Sequence, residues 1–406
     1  MTTKVYQHPI ESLLTNDAYK FSMGQCILHN FPKDYARFDW HCRSDEKLGW
    51  LKPEIDKELD YICALRFKKD ELDYLRSILW LADDYIDYLE RFYLKRDQIH
   101  TDVDKEGQLV MWAEGPWRDV SYFEIPCLAI VSELYMKHKK AERGLEDGTI
   151  EKAGLENVKL MIRKLADCWH TGHKFTFADF GLRRRFGSDY HHAVIQLFKD
   201  YAPEFFVGTS DVSLAKEFGI KPIGTFAHEM FMVAQGMNVR LSETQKFILD
   251  TWAKEYRGEL GIALSDIYGF RAFLRDFDKY FAKLFDGCRH DSGDPIKWGE
   301  MLIDHYKKLG IDPLTKTGCW SDSLNADKCV EIAKHFAGKI KVSFGVGTAI
   351  TNSTPIKPLN MVMKVTEANG NPVAKLSDSL GKGMCKDEKY VEYLKSVFNY
   401  RSIDED

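Results

Sequence analysis

The sequence has no closely spaced pair of cysteines. Nine cysteines are spread over 406 residues, and no two of them stand in C-x-x-C spacing. A zinc knuckle and a redox-active dithiol both need such spacing, so neither site is indicated. An odd number of scattered cysteines is instead typical of reduced, mostly buried thiols in a cytosolic protein.

Long apolar runs are also absent. The N-terminal residues MTTKVYQHPIESLL contain no apolar core of signal-peptide length. No stretch approaches the roughly 20 apolar residues that are needed to cross a bilayer. We therefore expect a cytoplasmic protein that has no membrane partner. Apolar residues still make up 44% of the chain, which is enough for a large core without disulfides or metal ions.

The sequence has neither a strong excess of charge nor the two commonest nucleotide-binding loops. Its formal net charge is -5, so it gives no reason to expect nucleic acid as a partner. It contains no GxxxxGK[ST] and no GxGxxG motif, so any ATP would be bound without a Walker A loop. A polyanionic substrate would have to be held by a local basic site.

The N-terminal part mixes helices with a few half-buried strands. Asn16 or Asp17 is expected to cap an amphipathic helix, and the alternation of Arg37–Arg43 predicts a strand. The sequence from Trp50 to Phe92 has a helical pattern, and two strands around a turn are expected between Gln98 and Ala113. A long helix should begin at Pro126, and the charged segment 142–154 should form a loop.

From about Lys174 onward, short apolar segments typical of strands alternate with segments that have a helical pattern. The expected strands are FTFADFG, EFFVGTS, KPIGT, LGIALSD, LFDGCRHDSGD, TGCWSDS, IKVSFGVGT and NMVMKV. All of them except NMVMKV end in Gly, Ser, Thr or Asp, and helices separate most of them. Repeated strand–loop–helix units of this kind predict a parallel sheet, and their number predicts closure into an α/β barrel.

The stretch Gly208–Glu229 is the most structured of these units. Asp211 can cap a short helix, Lys221–Gly224 re-enters the sheet, and Thr225 is placed to cap a helix from Ala227. His228 then stands in the first helical turn, where free N–H groups favour an anion. The pattern allows two interpretations of His228: a residue that carries or meets a phosphate, or a histidine that only completes a helix start.

The polar strand ends should share one site, because the carboxyl ends of barrel strands converge on one face. The segments that would meet there are Asp179–Arg185, Thr209–Asp211, Thr225–His228, Ser265–Asp266, Arg289–Pro295, Ser321–Ser323 and Gly345–Thr348.

This collection of side chains suits a substrate that contains phosphates and a sugar. Arginines match phosphate and carboxylate groups in bidentate fashion, and glycine-rich turns offer backbone N–H donors to phosphate. Aspartates bind ribose hydroxyls or hold Mg²⁺, and the residues alone do not choose between these roles.

A set of motifs, taken together, resembles one family. TNDAYKFSM, ADFGLRRRF, FVGTSDVSLA, GTFAHE, RHDSGDPIKWGE, SFGVGTAITN and KLSDSLGKGMC occur in this order between Ser12 and Lys386. They resemble the nicotinate phosphoribosyltransferases of the bacterial and fungal type, over nearly the whole chain.

The resemblance implies a fold and a reaction. The fold would be an irregular α/β barrel, as in the type II phosphoribosyltransferases, over residues 126–359. A second α+β domain would be built from residues 1–125 and 360–406. The reaction would form nicotinate mononucleotide and pyrophosphate from nicotinate and 5-phosphoribosyl 1-diphosphate in NAD salvage. It would be coupled to ATP hydrolysis through a phosphohistidine, with Mg²⁺ as cofactor.

The resemblance also assigns roles to residues. His228 in GTFAHE would be the phosphorylated histidine, and Glu229 would either orient its imidazole or face solvent. Nicotinate would be bound by Tyr19, Phe180, Thr225 and Arg289, with its pyridine ring between the two aromatic side chains. In related enzymes that tyrosine comes from a neighbouring subunit, so a homodimer is implied.

The remaining assignments concern phosphoribosyl diphosphate. Its phosphates and ribose would meet Arg183, Asp266, Asp291, Ser292, Gly293, Gly347 and Thr348. Asp266 or Asp291 would stand near Mg²⁺, and Arg184 and Arg185 would join Arg183 in stabilising the charge of the leaving pyrophosphate.

Three alternatives stay open at this point. The first is a relative that uses nicotinamide or quinolinate, although quinolinate enzymes lack the GTFAHE histidine. The second is a barrel glycosidase or aldolase, which would release no pyrophosphate. The third is a non-catalytic ligand sensor on the same scaffold.

Overall fold

The structure is a computed structural model, and it describes residues 6–144, 148–378 and 384–405. Its strands are β1 Tyr35–Cys42, β2 Ile99–Val103, β3 Leu109–Pro116, β4 Thr176–Asp179, β5 Phe206–Thr209, β6 Lys221–Pro222, β7 Ile262–Leu264, β8 Gly287–His290, β9 Thr317–Trp320, β10 Lys341–Val346, β11 Met361–Ala368 and β12 Asn371–Pro372.

The helices of the N-terminal part are α1 Ala18–Asn30, α2 Lys52–Ala64, α3 Lys69–Arg76, α4 Asp83–Arg91, α5 Trp117–Val120, α6 Glu124–Glu142 and α7 Thr149–His170. Those interleaved with the later strands are α8 Ser188–Tyr201, α9 Val212–Phe218, α10 His228–Ala234, α11 Thr244–Tyr256, α12 Phe270–Asp276, α13 Lys279–Leu284, α14 Pro295–Lys308, α15 Ala326–Phe336 and α16 Thr348–Thr351. The helix α17 Glu388–Phe398 follows.

The first sheet is antiparallel and has the order β12-β11-β1-β3-β2. The predicted strand at Arg37–Arg43 and the predicted pair of strands between Gln98 and Ala113 are confirmed. The segment NMVMKV, expected among the barrel strands, instead pairs antiparallel with β1, with Met361 opposite Cys42. Buried and half-buried residues alternate along most of β11, as is usual for a strand with only one covered face.

The second sheet is parallel and has the order β6-β5-β4-β10-β9-β8-β7, which confirms an irregular α/β barrel. No strand pairing joins its edges β6 and β7 within the described part of the chain. The hydroxyl of Thr225, in the loop after β6, donates a hydrogen bond to the carbonyl of Ile262 in β7 at 2.9 Å. Strand β6 is only two residues long, and its last residue, Pro222, has no N–H to donate to a further strand. The loop after β6 therefore lies in the gap between β6 and β7, where a closed barrel would have another strand.

Local signals placed the starts of α1, after Asp17, and of α9 correctly. Asp211 caps α9, since its carboxylate accepts hydrogen bonds from the N–H groups of Ser213 and Leu214. The predicted cap at Thr225 is wrong: Ala227 is the N-cap residue of α10, and the Thr225 hydroxyl is engaged with β7. Helix α7 begins at Thr149, inside the segment predicted as a loop.

The two sheets and their helices share one extensive apolar core, which includes the fully buried Trp117, Trp252, Trp298 and Trp320. No helix in the described ranges is long and apolar enough to cross a membrane. The domain boundaries at 125/126 and 359/360 stay predictions.

Candidate active site

A cavity of about 620 Å³ opens where the parallel strands end. One wall comes from the carboxyl ends of β4, β8 and β10: Phe180 directly follows β4, Arg289 belongs to β8, and Gly347 directly follows β10. The opposite wall includes Lys364 of β11 and Lys375 beyond β12. The cavity therefore lies between the parallel sheet and the antiparallel sheet.

His228 reaches this cavity from the first position of α10. Its Nε2 lies 2.7 Å from Oδ1 of Asp266 and 3.7 Å from Oδ2 of Asp291. Burial, together with the nearby Lys375 ammonium, lowers the pKa of His228 to about 4, so the ring is neutral at pH 7. A neutral ring that donates its Nε2–H to Asp266 keeps its lone pair on Nδ1.

Asp266 follows β7 and is almost wholly buried. Its Oδ2 accepts a hydrogen bond from the Ser292 hydroxyl at 2.6 Å and lies 2.7 Å from Nζ of Lys375. Burial alone would raise the pKa of Asp266, but Lys375 and His228 hold it well below its usual range. Asp266 is therefore a fixed anion that orients the imidazole.

Asp291 is the second carboxylate beside His228, and it lines the cavity. Its Oδ1 lies 3.7 Å from Nη2 of Arg289, and its Oδ2 lies 3.5 Å from Nζ of Lys375. Burial opposes ionisation, yet the two cations lower the pKa of Asp291 below its ordinary value. Both aspartates are thus ionised, Asp291 in the lining of the cavity and Asp266 buried outside it.

His228, Asp266 and Asp291 could together face a metal ion, since one ligand atom from each lies within 4.8 Å of the others. The oxygens of Asp266 are already engaged by His228, Ser292 and Lys375. Asp291 lines the cavity and its side chain is 27% exposed, so it fits Mg²⁺ better. Mg²⁺ usually takes one or two carboxylates together with phosphate oxygens and water.

The two aromatic residues of the predicted pyridine pocket both line the cavity from this one chain. Tyr19 is in the first turn of α1, and Phe180 directly follows β4. Gly345 makes room for Phe180, because a Cβ at that position would lie 2.2 Å from the Phe180 ring. Both rings thus come to the cavity from the same chain, and the homodimer stays a prediction.

The three consecutive arginines have different environments. Arg183 lines the cavity, with Nε 3.7 Å from Asp17 and Nη1 3.7 Å from Glu124. Arg184 also lines the cavity, and burial lowers its pKa to about 10. Arg185 is not among the cavity-lining residues: it is buried, donates to the Ser188 hydroxyl at 2.7 Å, and helps to hold the start of α8.

Four other predicted residues do not line the cavity, namely Thr225, Asp266, Ser292 and Gly293. Thr225 donates its hydroxyl to β7, and Ser292 donates to Asp266. Gly293 has a φ of +81°, and a Cβ at that position would lie 2.5 Å from Ile403. Gly347 and Thr348 do line the cavity, and a Cβ at Gly347 would lie 3.0 Å from the carbonyl of Phe180.

Sequence reasoning missed the basic residues that the antiparallel sheet and its extension contribute. Arg43 follows β1, Lys364 belongs to β11, and Lys375 follows β12, and all three line the cavity. Burial, with the neighbouring Lys375 and Arg43, lowers the pKa of Lys364 to about 7. The one available signal was the motif KLSDSLGKGMC, whose first residue is Lys375.

Glu229 neither orients the imidazole nor faces solvent. Its carboxylate is buried and accepts hydrogen bonds from the indole N–H of Trp117 at 2.9 Å and the Ser121 hydroxyl at 2.5 Å. It also pairs with Lys20. The orienting carboxylate for His228 is Asp266.

An oriented histidine and a basic cavity at the carboxyl ends of parallel strands define an enzyme site on an α/β barrel. The same fold occurs in the solved structure of a nicotinate phosphoribosyltransferase from Vibrio cholerae, with a TM-score of 0.92 and 36% identity over 97% of this chain and 95% of that one. A putative nicotinate phosphoribosyltransferase from Saccharomyces cerevisiae has a TM-score of 0.85 and 28% identity over 98% and 100% of the two chains.

Sequence comparisons extend this likeness to the family. The model of the nicotinate phosphoribosyltransferase (NAPRTase) family matches residues 175–402, and that of its N-terminal domain matches residues 14–132. The nicotinate phosphoribosyltransferase of Chromobacterium violaceum is 48% identical over 97% of this chain and 98% of its own length. That of Acinetobacter baylyi is 46% identical over 96% of each. The chain belongs to the nicotinate phosphoribosyltransferase family.

Proposed function

We propose that this protein transfers the phosphoribosyl group of 5-phosphoribosyl 1-diphosphate to nicotinate, releasing pyrophosphate, as a cytoplasmic step of NAD salvage. We further propose that the transfer is coupled to ATP hydrolysis through a phosphohistidine at His228. One observation carries the proposal: a single cavity is lined by two aromatic residues, Arg289, further basic side chains and an oriented imidazole. Family membership supports the choice of substrates.

The pyridine ring of nicotinate would lie between Tyr19 and Phe180. Stacking on an aromatic ring contributes about 1 kcal/mol beyond burial. Arg289 would bind the carboxylate through charge-assisted hydrogen bonds, and nicotinamide would leave that guanidinium without a charged partner. The ring nitrogen is the nucleophile at C1 of the ribose, so no protein nucleophile is needed at the sugar.

Departure of pyrophosphate leaves an oxocarbenium-like ribosyl centre and places negative charge on the leaving group. The cations that line the cavity and could meet this charge are Arg43, Arg183, Arg184, Lys364 and Lys375. Fixed cations in a cavity with restricted access to water stabilise developing charge more strongly than the same groups in water. Mg²⁺ beside Asp291 would supply further neutralisation of the pyrophosphate oxygens.

His228 would use ATP through Nδ1. The lone pair on Nδ1 forms a bond to the γ-phosphorus while the bond from that phosphorus to the bridging oxygen breaks, and ADP leaves with the electron pair. The ring then carries a proton on Nε2 and the phosphoryl group on Nδ1. Its positive charge faces the Asp266 carboxylate at 2.7 Å, which stabilises it.

The phosphorylated enzyme would favour a state that binds substrates tightly, and loss of the phosphoryl group would favour release. Such coupling requires that the phosphorylated histidine and the nicotinate site influence each other.

A substrate panel tests the proposed function. The purified protein is given limiting phosphoribosyl diphosphate with nicotinate, nicotinamide or quinolinate, and nucleotide, pyrophosphate and ADP are measured. We expect nicotinate mononucleotide and pyrophosphate with nicotinate alone, and ADP formation that nicotinate stimulates and His228→Ala abolishes. Equal use of nicotinamide would contradict the nicotinate assignment. Absence of pyrophosphate would favour a glycosidase or aldolase, and binding without turnover would favour a sensor.

A further inference from the structure

A buried group of charges lies at the edge of the cavity, where two of its members, Glu124 and Glu229, belong to the lining, and the proposed chemistry does not use it directly. We name Lys20, Ser121, Glu124 and Glu229 the Lys20 cluster. The Lys20 side chain has no solvent exposure, and its Nζ lies 2.7 Å from Oε2 of Glu124 and in contact with Oε2 of Glu229. It also donates to the Ser121 hydroxyl at 3.2 Å. One buried ammonium is thus shared by two carboxylates.

One end of the Lys20 cluster is joined to the proposed phosphorylated histidine. Glu229 directly follows His228 at the start of α10. The other oxygen of Glu229 is held by Trp117 and Ser121, so its carboxylate has no freedom to turn. The position of α10 along its axis is therefore tied to Lys20.

The other end is joined to the proposed nicotinate site. Lys20 directly follows Tyr19 in α1, and its Nζ is 5.6 Å from the Tyr19 ring centre. Glu124, at the start of α6, has its second oxygen 3.7 Å from Nη1 of Arg183. Arg183 stands in the short turn that follows Phe180. Both aromatic residues of the pocket are thus near neighbours, along the chain, of residues held by this network.

Stability does not explain such a network. Taking an ammonium and two carboxylates out of water costs several kcal/mol per ion, and well-packed apolar residues of the same shape often serve stability as well. What an ion network does provide is a fixed geometry, since each charge has one low-energy position.

We propose that Lys20 is a positioning residue that couples ATP use to nucleotide formation. By pairing with Glu229 beside His228 and with Glu124 beside Arg183, it fixes the proposed phosphorylation site relative to the aromatic pocket. This inference rests on the proposed function. It predicts that loss of the pairing separates the two reactions, so that ATP is hydrolysed without product.

The test measures the ratio of ADP to nicotinate mononucleotide formed by the full-length protein under saturating substrates. Glu229→Gln keeps the shape of the side chain but places an amide nitrogen against Lys20. The double variant Lys20→Met with Glu229→Gln removes one charge of each sign and leaves Glu124 with Arg183. We expect the ratio to rise about fivefold or more in both variants, the lower end of typical coupling between sites.

Lys316→Met is the matched control, because it removes a different buried ammonium, which donates to the carbonyls of Lys283 and Phe285 before the start of β9 and does not line the cavity. Its thermal midpoint should fall while its ratio stays at the wild-type value. An unchanged ratio in a folded double variant would overturn the inference and leave the proposed function standing. A wild-type protein that forms nucleotide without hydrolysing ATP would instead overturn the coupling itself.

Discussion

The Nε2 atom of His228 lies 2.7 Å from Oδ1 of Asp266, and the second oxygen of that carboxylate is held by Ser292 and Lys375. The carboxylate therefore cannot turn away, and it fixes the tautomer that leaves Nδ1 as a nucleophile.

Asp266→Asn tests this relationship. The amide can present its N–H to Nε2 and favour the wrong tautomer, so we expect phosphorylation of His228 to slow by about 10²-fold or more. Single-turnover transfer from γ-labelled ATP measures the step. Ser292→Ala, which removes one hydrogen-bond donor but leaves the carboxylate that selects the tautomer, should slow it by only about tenfold, the lower end of the effect of a hydrogen bond to a charged group. Equal effects in the two variants would contradict the tautomer argument.

Arg289→Gln should weaken selection of the acid over the amide. A charge-assisted hydrogen bond contributes about 1.5–3 kcal/mol, so KM for nicotinate should rise by about 10- to 150-fold. Use of nicotinamide should change little, since it has no carboxylate. Steady-state kinetics with both bases measure the ratio of the two kcat/KM values. If this ratio does not change, Arg289 does not contact the carboxylate.

Gly345→Ala should disturb the proposed nicotinate pocket by displacing the Phe180 ring, without contacting the substrate itself. The added methyl group would lie 2.2 Å from the Phe180 ring and must displace it. We expect KM for nicotinate to rise by about tenfold, near the combined effect of lost stacking and burial. KM for phosphoribosyl diphosphate should stay nearly constant. Thermal unfolding shows whether the variant is folded, and a KM unchanged in a folded variant would mean that the ring does not bind nicotinate.

The affinity for phosphate-bearing substrates should depend on pH through Lys364. Its pKa is lowered to about 7, so the side chain is charged below pH 7 and loses its proton as the pH rises through that value. KM for phosphoribosyl diphosphate should therefore increase between about pH 6 and pH 8. Lys364→Met should have the higher KM throughout and a flatter profile. A wild-type profile that the substitution leaves unaltered would exclude Lys364 from the phosphate site.

Features encoded by neighbouring residues could be predicted from the sequence. The cap at Asp211 and the position of His228 at a helix start follow from a few adjacent residues, and strand ends in a parallel sheet converge by topology. The sequence could not distinguish the environment of Arg183 from that of Arg185. Three consecutive arginines have identical side chains, and nothing in them shows which one the turn after β4 directs into the core.

Contributions from distant parts of the chain were not predictable in this way. Lys364 and Lys375 reach the cavity only because β11 pairs with β1 and brings its sheet against the barrel. The engagement of Thr225 with β7 and of Glu229 with Lys20 joins segments far apart in sequence. Such contacts depend on tertiary packing, which overrides the local capping signal at Thr225.

The central claim is that His228 carries a phosphoryl group during turnover, and label transfer from γ-labelled ATP tests it most directly. The protein is incubated with labelled ATP and Mg²⁺, digested, and its peptides are mapped. We expect label that is labile in acid and stable in base, confined to the peptide that contains His228 and absent from His228→Ala. Label on another residue, or turnover of ATP and nicotinate by His228→Ala at the wild-type rate, would contradict the account.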